Sequence, residues 1–436
     1  MLLKIENLGM VDRANIEVNG ITIIAGDNNT GKSTIGKALF AIFNALCNSE
    51  EKIKDLRKQE LNKNIKRICM DYFDKEDLPI NLFEMTRRLP RNLSNLLTEH
   101  KNIDIEDKIQ SIINHYQIEI TEESLKDLQI KIKNSVDKIM NVSETDLQKE
   151  FLQRYFLEVF NEQINSLSNV NSIMDIVLTI KDRDIKIKFS NDRCIKLEVP
   201  YKILHEAFYI DDPFIINSLN TKSLSIPFYR GRYFSVEQRH LIDSIEKYDR
   251  LKNENVFASL FAEKSLEEIY AILNDVVEGN ILFQDNNNIS LQSKKFNKPI
   301  NINNLSTGLK AFVILKILLE RNILKEKDVL ILDEPEIHLH PKWQMQYAQI
   351  IVLLQKFFDL SIIVTTHSAD FLAAIEYYAK KHKNIDKCKF YLAKNEDNFN
   401  TFVDVTNKTE EIYKQMFIPK FHLDELNYEL EENEDE

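Results

Sequence analysis

One run constrains this chain more than any other: Gly26-Asp27-Asn28-Asn29-Thr30-Gly31-Lys32-Ser33, a full match to GxxxxGK[ST]. It follows Ile21–Ala25, an unbroken apolar run of buried-strand type, and precedes the apolar-rich Ile35–Cys47, which reads as a helix. That strand–loop–helix context separates a working phosphate loop from a chance match. Glycines let successive backbone N–H groups turn inward on a phosphate, and the following helix presents its positive end to it. Gly26, Asn28, Asn29, Thr30, Gly31, Lys32, Ser33 and Thr34 are therefore the candidate nucleotide-binding residues. Lys32 would reach the β- and γ-phosphates of ATP, and Ser33 would hold Mg²⁺. The chain has only 8 glycines, and two of them fall on the motif's required positions.

A second apolar run, Val329–Leu332, ends in Asp333-Glu334, which puts two carboxylates at the C-terminal edge of a buried strand. Ligands bind at that edge in parallel α/β sheets. Asp333 would complete the Mg²⁺ shell through water, and Glu334 would orient and deprotonate an attacking water. Thr365-Thr366-His367-Ser368 ends the next strand, Ser361–Thr365, where His367 can contact the same phosphate. Upstream, Asn304-Leu305-Ser306-Thr307-Gly308-Leu309-Lys310 opens the apolar helix Ala311–Leu319. A serine N-cap accounts for Ser306 on its own, but the helix leads directly into the acidic strand, 27 residues on from Ser306 to Asp333.

Taken with Leu332–Pro341, LDEPEIHLHP, these four motifs resemble the ABC-class AAA ATPases of the SMC, RecF and OLD (overcoming lysogenization defect) group. The resemblance covers about residues 1–47 and 300–372. It implies an ABC-type ATPase head, an α/β P-loop NTPase sheet flanked by helices, here with a helical insertion. It also implies a dimer or larger homo-oligomer with two composite ATP sites, each pairing one subunit's P-loop with Ser306, Gly308 and Lys310 of the opposite signature segment. Glu336 to His340 would then form the loop that meets the partner. The DEPEIHLHP form looks like OLD-type and related prokaryotic defence ATPases, such as the ATPase subunits of Septu or PARIS. By that likeness the chain would be the sensor or scaffold of an anti-phage system, holding a separately encoded effector protein. The alternative is a RecF- or SMC-like repair or chromosome-maintenance ATPase that binds DNA directly. LSTGLK in place of LSGGQ argues against a transporter subunit. OLD nucleases add a TOPRIM domain, but only 69 residues follow His367 and none shows its acidic strand pattern, so this chain should not itself cut nucleic acid. The glutamine loop of such heads has no clear counterpart. Phe208–Pro213, with Asp211 and Asp212, is either its positional equivalent or a plain turn.

The motifs divide the chain into an N-terminal lobe of the head (1–48), a helical insertion (49–170), strands returning to the head (171–230), a second helical segment (231–280), a C-terminal lobe (281–410) and an extension with an acidic tail (411–436). Within the insertion, Leu125, Leu128, Ile132, Val136 and Ile139 carry helical spacing without sustained heptads, which predicts short packed helices rather than a long coiled-coil arm. Asp175–Phe189 alternates as a single β stretch, and Asp285–Asn288 reads as a hairpin turn.

Composition narrows the class. Hydrophobic residues make up 43% of 436, enough for a sizeable core, and the net charge of −12 is concentrated in the tail from Asp424, leaving the body near balance. Cys47, Cys69, Cys194 and Cys388 lie far apart, which is neither a disulfide framework nor a zinc site. With no signal peptide and no long apolar span, a cytoplasmic protein with no membrane contact is expected. Arg87, Arg88 and Arg91, and Tyr229–Phe234, are basic or basic-aromatic clusters that would fit nucleic acid or ordinary surface pairing. Lys294, Lys295 and Lys298 could steer a partner or line a dimer groove, while His338, His340 and Trp343 suit interface packing better than a metal.

Overall fold

The computed structural model describes residues 1–73, 82–99, 104–115, 120–169, 171–220, 234–249, 256–283, 289–293, 295–396, 399–418 and 423. The Tyr229–Tyr233 cluster, Lys294, the Asp285–Asn288 turn and the acidic tail lie outside them. The chain forms two compact units, residues 1–47 with 152–436, and residues 48–151.

The larger unit carries the strands β1 (Leu2–Leu8), β2 (Val11–Glu17), β3 (Ile21–Gly26), β4 (Met174–Ile180), β5 (Arg183–Ser190), β6 (Arg193–Glu198) and β7 (Ala207–Ile210). They are followed by β8 (Gly279–Phe283), β9 (Ile289–Ser293), β10 (Ile300–Asn301), β11 (Val329–Asp333), β12 (Ser361–Thr366), β13 (Cys388–Glu396) and β14 (Phe399–Asp404). Among the described residues one sheet has the order β6-β5-β4-β1-β2-β14-β13-β3-β12-β11-β7, and β10-β9-β8 form a second, small sheet. The fold is mixed α/β, as the sequence predicts.

Two kinds of strand make up the large sheet, and the sequence distinguishes them. From β13 through β3, β12 and β11 to β7 the strands are parallel. They are covered on both faces: Ile21, Ile23, Leu330, Leu332, Ile362 and Val364 join one core, while Ile24, Ile331 and Ile363 join the other. The first core includes the helices Thr307–Glu320, Pro341–Phe358 and Ala369–Lys381, and the second includes Lys32–Leu46. Burial on both sides is why these strands read as unbroken apolar runs. At the other end β6, β5, β4, β1 and β2 pair antiparallel, and β5 alternates buried and half-exposed positions.

The stretch predicted as one strand over Asp175–Phe189 is a hairpin. Lys181 and Asp182 take φ of 49° and 62°, and Asn191 and Asp192 repeat this at the next turn with 49° and 57°. Two consecutive left-handed residues close a two-residue hairpin whose twist matches its strands. A Lys-Asp pair lacks the glycine that usually announces such a turn, so alternation carried straight across it.

The smaller unit is helical: Ser49–Phe73, Leu82–Glu99, Ile105–His115 and Glu122–Met140. Leu61, Ile65 and Cys69 meet Leu89, Leu93, Ile109 and Ile113 in one core. Leu128, Ile132 and Val136 join that core at the spacing read from the sequence, and Thr121 caps their helix by accepting from the Ser124 N–H at 3.2 Å. The following helix, Glu144–Val159, ends in the larger unit, where Leu152, Phe156 and Val159 are buried, so the compact unit stops short of the boundary expected at residue 170. No helix of the described residues is long and apolar enough to cross a membrane.

Candidate nucleotide site

The site is assembled by register. Asp333 at the end of β11 pairs with Thr365 of β12, and Thr365 pairs in turn with Ile24 of β3. Three parallel strands therefore end side by side, and the loops that follow them carry Gly26–Ser33, Glu334–Glu336 and His367.

The loop after β3 is shaped for close backbone approach. Asn29 and Gly31 have φ of 63° and 82°, and a Cβ on Gly31 would lie 2.7 Å from Val11 Cγ2, so both conformation and space call for glycine there. Gly31 N-caps the helix Lys32–Leu46 without a side-chain hydrogen bond, and the first turn holds no acid, which leaves the helix's leading amides for a ligand. Thr30 Oγ1 donates to the Asp27 carbonyl at 2.8 Å, and Lys32 Nζ donates to the same carbonyl at 2.7 Å. Lys32 is 5% exposed. Burial lowers its pKa, while Glu334, Asp333, Asp27 and Glu336 oppose that shift.

Asp333 is held on three sides. Its Oδ1 accepts from Ser33 Oγ at 3.0 Å and from Thr365 Oγ1 at 2.5 Å, and its Oδ2 accepts from Tyr209 OH at 2.6 Å. Tyr209 comes from β7, the strand beside β11. Burial above all, then Asp333 itself, raises its pKa well above the usual phenol value, so the hydroxyl stays a donor. Glu334 turns off the strand with φ of 51°, its N–H donating to the Thr365 carbonyl at 3.1 Å and to Thr365 Oγ1 at 3.0 Å. That turn brings its Oε1 to 2.5 Å from His367 Nε2.

The sequence reading left Glu336 to a partner-facing loop, but it is 5% exposed and its Oε1 accepts from Thr366 Oγ1 at 2.5 Å and from the His367 N–H at 3.0 Å. Burial raises its pKa. Of the same loop, Leu339 is also buried, whereas Ile337, His338 and His340 are exposed. His340 acts as a helix cap, its Nδ1 accepting from the Lys342 N–H at 3.3 Å. Among the described residues no group of His, Cys, Asp and Glu is arranged to hold a metal on its own.

The signature residues divide. Ser306 is exposed and N-caps its helix without a side-chain hydrogen bond. Gly308 is buried, and a Cβ there would lie 2.8 Å from the His338 carbonyl and 3.1 Å from the Trp343 ring. Lys310 points inward at 2% exposure, donating to the Asn303 carbonyl at 3.2 Å and lying 5.0 Å from the Phe214 ring centroid. Of the residues grouped here, the sequence reading missed Tyr209, Thr365 and Glu336 as parts of the site. Their only signal was a polar or aromatic residue within or just after an apolar strand run.

Asp211 and Asp212, the glutamine-loop candidates, follow β7; the Asp212 carboxylate accepts from the Phe214 N–H at 2.8 Å, which is a turn. Of the basic clusters, Arg88 and Arg91 are exposed and Lys295 pairs with Glu278 at 2.5 Å.

Among solved structures the chain is similar to an SMC head bound to the C-winged helix domain of ScpA, at 13% identity over 94% of this chain and 98% of that one, with a TM-score of 0.43. It is similar as well to the SMC head domain from Thermotoga maritima, at 12% identity over 93% and 98% of the two chains and a TM-score of 0.35. An SMC head with an extended coiled coil, bound to a ScpA C-terminal domain derived from Pyrococcus furiosus, gives 12% identity over 95% and 98% and a TM-score of 0.34. All three likenesses are distant. The AAA ATPase domain family matches residues 1–372 of the 436, running through the middle of the chain that the motifs leave unassigned. With the P-loop, the acidic strand end and the histidine all inside that match, the chain belongs to the AAA ATPase domain family.

Proposed function

We propose that this chain is an ABC-class Mg-ATP hydrolase that closes as a homodimer around two composite sites, and that it serves as the sensor and scaffold of an anti-phage defence system holding a separate nuclease or toxin. The observation that carries the ATPase part is the convergence at one sheet edge of Ser33 with Asp333 and of Glu334 with His367. The defence part rests on the DEPEIHLHP form of the acidic strand's loop.

In this reading the loop amides and Lys32 hold the phosphates, and Lys32 exchanges the Asp27 carbonyl for phosphate oxygens. Ser33 and Asp333 offer hard oxygen donors 3.0 Å apart, a set that suits Mg²⁺. Bound there, Mg²⁺ would supply charge neutralisation on the phosphates. Glu334 Oε takes the proton of the attacking water, and His367, in contact with Glu334, senses the γ-phosphate. Glu336 positions His367 by accepting its backbone N–H. Ser306 and the amides around Gly308 complete the partner's site, while Lys310 acts indirectly by bracing the start of its helix.

Removing one hydroxyl tests the support of Asp333. Tyr209→Phe keeps the ring but leaves Asp333 Oδ2 without its donor, a loss of about 1 kcal/mol. ATP hydrolysis should fall roughly fivefold at limiting Mg²⁺, with less effect at saturating Mg²⁺. A fall that Mg²⁺ does not relieve would mean that the hydroxyl serves packing alone.

Composite sites are tested by mixing. Lys32→Ala and Ser306→Arg proteins should each be inactive, yet together they should recover up to about a quarter of wild-type turnover, because half the dimers form and each has one intact site. No recovery, with both proteins folded and dimeric by light scattering, would overturn the shared-site mechanism. Exposed Arg88 and Arg91 on the helix Leu82–Glu99 favour DNA as a second reading. Retention of DNA by the ATP-bound assembly, without a co-expressed neighbour protein, would move that reading ahead.

A further inference from the structure

A second cavity lies at the opposite edge of the parallel sheet, where the strands begin. Its walls include Gly20 before β3, His205 before β7, Lys327 before β11 and Ser361 at the start of β12. Because β3 is 6 residues long, this edge stands about 20 Å from the phosphate loop. The cavity measures about 720 Å³, within the range of small-molecule sites.

Its lining separates by chemistry. Val18, Phe43, Ile180 and Ile203 make an apolar floor, while Lys181, Arg183, Lys202 and Lys327 stand on the rim. The hairpin tip between β4 and β5 carries Lys181 and Arg183, and the linker into β7 carries Lys202, so separate segments converge. Among the described lining residues the single carboxylate, Asp359, pairs with Lys387 at 3.0 Å. Behind the rim, burial first and then Lys327 lower the pKa of His205, Glu326 opposes them, and Lys181 adds a smaller lowering; Lys327 itself pairs with Glu326 at 3.2 Å.

One buried group lacks a partner. Tyr201 lines the cavity, and its hydroxyl, shut off from solvent, makes no hydrogen bond to the protein.

We infer that this cavity binds a small phosphorylated ligand of nucleotide size, its apolar or aromatic body on the Phe43 floor and its phosphate among Lys181, Arg183, Lys202 and Lys327. The ATP site lies at the far ends of the strands that begin here, so the ligand would be distinct from the hydrolysed nucleotide.

The test is calorimetric titration of the full-length Lys32→Ala protein, which removes phosphate-loop binding, with each nucleoside 5′-monophosphate and with pyrophosphate. At least one nucleotide should bind with one-to-one stoichiometry and at least tenfold tighter than pyrophosphate. Arg183→Glu with Lys202→Glu on the same background should weaken it tenfold or more, with thermal unfolding little changed because both charged side chains are exposed. No nucleotide binding up to millimolar concentration, pyrophosphate binding as tightly as any nucleotide, or an unchanged affinity in the double variant would each overturn the assignment. The double variant addresses this cavity alone, so its outcome is independent of whether Lys32 proves to hold ATP.

Discussion

Lys32→Ala should lose ATP binding by about two to three orders of magnitude, the largest effect on affinity expected of any single substitution here. The ammonium is nearly enclosed, and the carboxylates of Glu334, Asp333, Asp27 and Glu336 all act on it. It donates to the Asp27 carbonyl, inside the loop that should receive phosphate. Truncating one member of a buried, hydrogen-bonded charge pair typically costs about 2–5 kcal/mol, a range of roughly 30-fold to 5,000-fold with two to three orders of magnitude at its centre. In the bound state the pair is Lys32 and phosphate, and without the lysine the phosphate would be left among those carboxylates. Equilibrium binding of ATP at fixed Mg²⁺ measures this directly. Affinity within threefold of wild type would show that the loop amides alone hold the nucleotide.

Glu334→Gln should separate binding from turnover. The substitution is nearly isosteric and keeps an oxygen or nitrogen within reach of His367 Nε2, so the loop's conformation should survive. What disappears is the ability to accept a proton from water, a contribution of about 10² to 10⁴ in rate. Hydrolysis should fall by at least about a hundredfold, while ATP affinity changes little or rises. The ATP-bound protein should then persist as a dimer or larger assembly in light scattering. A variant that hydrolyses ATP within tenfold of wild type would move the base elsewhere. Glu336 is an alternative carboxylate, but its Oε1 is committed to Thr366 and His367 and its Oε2 is buried away from solvent.

The parts of the site that were legible in the sequence are those whose meaning is local. A glycine loop between an apolar strand and a helix fixes its own backbone geometry, and Gly31 sits at φ of 82° as that geometry requires. Asp333 and Glu334 announce themselves because carboxylates ending an apolar run must surface at the strand's end. The apolar runs of β3, β11 and β12 likewise reveal parallel strands covered on both faces.

Other features were beyond such a reading because they depend on which strands become neighbours. Ser33 and Asp333 are 300 positions apart, and Tyr209 and Asp333 are 124 apart. Nothing in Phe208–Pro213 says that the Tyr209 hydroxyl will face Asp333 rather than solvent, since that follows from β7 pairing with β11 in one register and not its neighbour. The same limit explains Glu336 and Lys310. Polar residues in motif-rich loops read as surface groups, yet Glu336 is drawn in by Thr366 and the His367 N–H, and Lys310 by the Asn303 carbonyl.

The sequence by itself determined the phosphate loop, the acidic strand end, the histidine and the α/β class, because each rests on residue type and short-range spacing. The tertiary structure alone decided how Asp333 is gripped, which signature side chain stays exposed and where a basic cavity opens. Those depend on strand order and register, and residues far apart in the chain acquire a shared environment only when the sheet has formed.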